Sequence, residues 1–127
     1  MTELTPEMHE RFILLIMDFA RSGDTDSLAE AYDRGFPLDE RDPDGNTALM
    51  MAAYHGHLET VQMLIARGAD INIPNSRNQS PIAGAIFKGE DEVVQALREA
   101  GADLDAGTPS ARQTAELFGK TELLDEH

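Results

Sequence analysis

Residues 44–72 read DGNTALMMAAYHGHLETVQMLIARGADIN, and this stretch decides the fold. Asp44-Gly45 is a turn signal. Thr47 opens a short apolar segment that runs to Tyr54, with Leu49, Ala52 and Ala53 at helical spacing. Gly56 is placed to supply the left-handed residue that ends such a helix. A second helical segment follows from Leu58 to Arg67, with Val61, Leu64 and Ile65 on one face and Gly68 at its end. Asp70 to Asn72 lead out into the next turn. Neither helix is long enough to bury its apolar face alone, so the unit must stack on another of its kind.

Its neighbours on both sides repeat it at a step of 33 residues. Gly23, Gly56 and Gly89 keep that step, as do Gly35, Gly68 and Gly101. The apolar columns follow: Ile16, Leu49 and Ile82; Leu28, Val61 and Val94; Ala31, Leu64 and Leu97; Leu38, Ile71 and Leu104. An acidic column, Asp26, Glu59 and Glu92, holds the same register, and the first three units need no gap.

The unit at 44–72 and its successor at 78–105, NQSPIAGAIFKGEDEVVQALREAGADLD, resemble ankyrin repeats, in a small single-domain array of bacterial type. The likeness rests on the period, the Thr or Ser opening, the paired glycines and the Gly-Ala-Asp ending. It implies an all-α solenoid of about four stacked helix-turn-helix units. As one domain over 1–127, these would be an N-terminal capping repeat at 9–41, repeats at 42–74 and 75–107, and a truncated C-terminal cap at 108–127. In the first unit the opening helix runs without a break from Pro6 to Ala20, with Thr5 as N-cap. The last unit, TPSARQTAELFGKTELL, fits only if about three residues are missing near Thr108, and its second helix is cut short. Caps at both ends imply a complete short array. The family's Thr-Pro-Leu-His opening is altered to Thr47-Ala48-Leu49-Met50 and Ser80-Pro81-Ile82-Ala83, which removes its hydroxyl–imidazole bond. Gly84 lies inside a helix, at a cost of about 1 kcal/mol relative to Ala.

The formal net charge is −14, from 24 Asp and Glu against 10 Lys and Arg. Such an excess of carboxylates argues against nucleic acid and against anionic lipid as partners. With no cysteine, disulfides, thiolate metal sites and cysteine catalysis are excluded. The start carries Glu3, Glu7 and Glu10, and the apolar run Phe12 to Met17 ends at Asp18, which fits neither a secretory signal nor a membrane span. A cytoplasmic, monomeric protein is the expectation. Residues 1–4 and 125–127 lack apolar anchors and are expected to be poorly ordered.

Three patterns resemble sites of chemistry and fall short of one. His55 and His57 flank Gly56, but residues two apart at a helix end diverge, and the His-Gly-His run belongs to the repeat signature. Gly119-Lys120-Thr121 lacks the glycine five positions earlier that a phosphate loop needs, since Thr114 stands there. The carboxylates read as solvated helix faces, or as helix starts in the case of Asp24 and Asp26. No catalytic residue, metal site or cofactor is expected. Met17, Met50, Met51 and Met63 read mostly as core filler.

The resemblance also implies where a partner protein would sit, in a concave groove lined by the turn tips and the exposed side of each first helix. By position, that face takes Pro43, Asp44 and Asn46, then Ser76, Arg77 and Gln79, from the tips. The first helices add Arg21, Ser22, Tyr54, His55, Phe87 and Lys88, and Arg41 lies on the approach to a tip. Tyr54 and Phe87 are aromatics one unit apart, and Arg21, Arg41, Arg77 and Lys88 are four of the ten cations. Aromatics and Arg are common interface anchors. The expectation is a non-enzymatic adaptor or inhibitor whose partner presents an acidic and apolar segment. The alternative is a structural or regulatory subunit that associates with an enzyme, or with itself, through a cap or the convex face.

Overall fold

A computed structural model describes residues 5–125. The expectation of disorder at 1–4, 126 and 127 falls outside the described residues. Asp125 is placed, exposed and extended, directly after the last turn of helix. Among the described residues there are seven α-helices and no strand. They are α1 (Pro6–Ser22), α2 (Thr25–Asp33), α3 (Ala48–Tyr54), α4 (Leu58–Ala66), α5 (Pro81–Lys88), α6 (Asp91–Glu99) and α7 (Ala111–Phe118), followed by a 3-10 turn at Thr121–Leu124.

Each first helix starts on a hydroxyl. Thr5, Thr47, Ser80 and Ser110 accept from the backbone N–H three residues on, which satisfies one orphan donor of each helix. Ser110 goes further, because Gln113 Oε1 accepts from the Ser110 N–H at 2.9 Å and closes a capping box. Gly56 has φ +77°, so the helix ends as its glycine implies.

The first helices α1, α3, α5 and α7 pack in one row, and α2, α4, α6 and the 3-10 turn in a second. The core lies between the rows. Ile16, Leu49 and Ile82 are buried from the first row, and Leu28, Val61, Leu64, Val94 and Leu97 from the second. These are the columns at a step of 33, so the period is the period of the core. Met17, Met50 and Met51 are buried as well, and Met63 is half-buried against the core.

Polar contacts bind unit to unit. The hydroxyls of Thr25 and Thr60 are 2.7 Å apart. The Asp70 N–H donates to Asp39 Oδ1 at 3.0 Å, and the Asp103 N–H donates to Asn72 Oδ1 at 2.8 Å. Arg67 pairs with Asp33 at 2.7 Å, and Lys120 with Asp91 at 3.1 Å. Gly84 has a use that its helix cost conceals. A Cβ there would lie 2.7 Å from Met50 Cε, so the bare backbone of α5 lets the Met50 side chain on α3 approach.

Candidate functional site

The turn tips are built alike. Asp42 Oδ1 accepts from the N–H groups of Asp44 and Asn46, each at 2.9 Å. One unit on, Asn75 Oδ1 accepts from Arg77 at 3.0 Å and from Gln79 at 3.1 Å. This is the Asx turn, in which a short side-chain oxygen accepts from the backbone two residues on and so mimics a backbone turn. Adjacent tips join through Ser76 N–H to Asp44 O at 2.9 Å and Thr108 N–H to Asn78 O at 3.0 Å. The side chains on the tips are therefore presented from a hydrogen-bonded frame.

Two clefts open beside these tips. The smaller is lined by Asn46, Met50, Met51, Tyr54, His55, Asn75, Arg77 and Gln79. The larger, of about 400 Å³, lies between α5 and α7 and is lined by Tyr54, Arg77, Gln79, Ala83, Phe87, Thr108, Pro109, Thr114, Leu117 and Phe118. Tyr54, Arg77 and Gln79 border both. Six of the thirteen expected residues, namely Asn46, Tyr54, His55, Arg77, Gln79 and Phe87, are thus brought together. Lys88 joins them differently, with its Nζ 5.0 Å from the centroid of the Tyr54 ring, a cation–π distance.

Six expected residues stand apart, and of these Ser22, Pro43 and Ser76 are exposed and line neither cleft. Arg21 is tied to Asp18 at 2.6 Å on its own helix and lines neither cleft. Arg41 and Asp44 are exposed and also line neither. Among the described residues, Arg77 and Lys88 have no carboxylate within ion-pair distance, as is also true of Arg11, Arg41 and Arg98, whereas Arg21 does; of these cations only Arg77 lines the clefts and only Lys88 lies over the Tyr54 ring.

Leu117 and Phe118 were missed. With three residues deleted near Thr108, Leu117 falls in the column of Tyr54 and Phe87, and that shift was the signal that could have found it. Phe118 packs edge-to-face on Phe87, with ring centroids 5.6 Å apart.

The two histidines point different ways. His57 Nε2–H donates to the carbonyl of Arg21 at 2.7 Å, while the His55 ring meets Tyr54 edge-on. Burial, and then electrostatic repulsion from Arg21, His57 and Lys88, hold the His55 pKa below its ordinary value, with Glu90 acting in the opposite sense. Gly119 ends α7 in the left-handed region and Lys120 reaches Asp91, so Gly119-Lys120-Thr121 forms an ordinary inter-unit turn. Among the described residues, no three His, Asp or Glu side chains converge as a metal site would require.

The family model for ankyrin repeats in three copies matches residues 16–108. The chain belongs to the ankyrin-repeat family. Ankyrin repeats are generally protein–protein interaction modules, and among the described residues no helix is long and apolar enough to cross a membrane. A serine/threonine-protein kinase 12 of Arabidopsis thaliana is 33% identical over 68% of this chain, which covers 19% of that protein. An L-asparaginase of Dirofilaria immitis is 29% identical over 92% of this chain and 20% of its own length. This ankyrin-repeat chain therefore spans only a small part of those enzymes. The protein phosphatase 1 regulatory subunit 27 of Mus musculus is similar at nearly full length, with 30% identity over 87% of this chain and 79% of that one.

Proposed function

We propose that this ankyrin-repeat chain is a non-enzymatic adaptor or inhibitor that binds a partner protein through its turn tips and first helices. One observation carries the reading. Tyr54 on α3, Arg77 and Gln79 on the following tip, and Phe87 on α5 border a single cleft, although they are far apart along the chain. Aromatic rings and Arg are enriched among the side chains that dominate interface energetics, and Arg77 has no carboxylate partner among the described residues. The partner would present an acidic and apolar segment, because an acidic body repels such a segment everywhere except where its cations gather. In this reading the chain acts as a cytoplasmic monomer without a cofactor.

The test compares the unmodified protein with Tyr54→Ala/Phe87→Ala in a pull-down, with circular dichroism as the control. Loss of the partner with helicity retained supports the groove. Replacing Arg77 and Lys88 by Glu should weaken binding most at low salt; unchanged or increased affinity overturns the cationic part of the reading.

A second reading is favoured by the similarity to the phosphatase regulatory subunit along most of both chains. In it, the chain is a regulatory subunit of an enzyme, engaged through a cap or the opposite face. Partner retention by Tyr54→Ala/Phe87→Ala is the result that selects this alternative.

A further inference from the structure

We propose that the cleft between α5 and α7 is an anchor pocket for one large apolar side chain of a partner segment whose carboxylates lie on the side of Arg77 and Lys88. The inference rests on the groove reading above and adds the subsite, the anchor and the charge of the occupant.

Apolar exposure recurs at this cleft, as it does on α1, where Met8, Phe12, Leu14 and Leu15 are exposed. Leu117 is 75% exposed, Phe87 51% and Phe118 48%. Single exposed apolar side chains are ordinary, but three large ones around a common cleft are not. At about 400 Å³ the cleft is at the small end of ligand-sized pockets, which suits one side chain rather than a folded surface.

The walls are formed in advance. Phe87 and Phe118 brace each other, the Ser110 capping box fixes the start of α7, and Lys120 ties the end of the unit to Asp91. A pocket that exists before binding spares the ordering cost that a mobile one incurs.

Charge orients the occupant. Arg77 lines the cleft on one side of Leu117. A shallower depression on the other side is bordered by Thr108, Pro109, Gln113, Glu116 and Leu117. Leu117 borders both, with Arg77 at the first and Glu116 at the second, so an acidic segment is accepted in the first and repelled from the second.

The experiment is an NMR titration of the full chain with three synthetic peptides of equal length. The first has a Trp flanked by Glu, the second a Trp flanked by Lys, and the third an Ala in place of Trp among Glu. The Glu-flanked Trp peptide should saturate, with shifts confined to α5, α7 and the tip at Arg77. The other two should bind at least about tenfold more weakly, as should the first peptide to Leu117→Ala or Arg77→Glu, a loss of about 1.4 kcal/mol. Glu116→Gln should leave binding unchanged or tighten it. Equal binding of the Lys-flanked peptide, insensitivity to Leu117→Ala, or no saturation by the first peptide overturns the proposal. Shifts at Asn46 and the α1 side alone overturn the anchor pocket but leave the groove reading standing. Shifts on α2, α4 and α6 overturn both.

Discussion

The imidazole of His57 lies across the backbone of Gly23, in the space a side chain would fill. A Cβ on Gly23 would stand 2.6 Å from His57 Nδ1, and the other ring nitrogen donates to the neighbouring carbonyl of Arg21 at 2.7 Å. A residue at the start of α4 is thereby fastened to the end of α1, one unit back.

Gly23→Ala is expected to cost about 1–2 kcal/mol from its φ of +74° alone, with an added contribution from displacing His57. That addition should vanish in a His57→Ala background. Urea denaturation of both single variants and the double variant measures it, and the two single costs should exceed the double by more than about 0.5 kcal/mol. Strict additivity would mean that the ring moves aside freely.

Leu64 and Leu97 are fully buried between the two rows of helices. Leu→Ala at either should cost about 2–5 kcal/mol by denaturant melt, the transfer loss and the cavity acting together. A cost below about half a kilocalorie per mole would place the wrong face inside.

Tyr32 carries a buried hydroxyl with no hydrogen-bond partner among the described residues. Burial, and then the charge of Asp39, raise its pKa, with Arg67 opposing. An unsatisfied buried hydroxyl opposes folding, so Tyr32→Phe is expected to be neutral or stabilising by up to about 1 kcal/mol. A loss larger than that in thermal melts would reveal a partner for the oxygen.

His55 gives the fold a pH dependence of definite sign. Its folded pKa is lowered, so the unfolded chain binds more protons at intermediate pH. This contribution to stability is whole above the unfolded value of about 6.5 and declines as pH falls toward the folded value. Between about pH 7.5 and 5.5, the Tm of the unmodified protein should fall more than that of His55→Gln. The comparison removes the effect of titrating carboxylates, which both proteins share. Parallel curves would show that His55 is not perturbed.

The core was legible because burial and the repeat share one period, and Leu28, Val61 and Val94 occupy one column and are all buried. The reason for Gly84 was not legible, because its contact, Met50, lies more than thirty residues away on another helix. Column arithmetic set Arg21 beside Tyr54 and Phe87. It could not anticipate that Asp18, three residues back on the same helix, would hold the guanidinium. Leu117 escaped for the opposite reason, since the shortened loop at Thr108 moves it out of the simple step of 33.

The chief neighbours of α7 are α5 and the 3-10 turn, and α7 supplies Leu117 and Phe118 to the larger cleft. Fraying of that one helix would erase the cleft while α1 to α4 stayed folded, since units in such arrays open piecewise. An occupant of the cleft would act as a clamp on the last α-helix of the array. Slowed amide exchange confined to α7 would then report occupancy as directly as any binding isotherm.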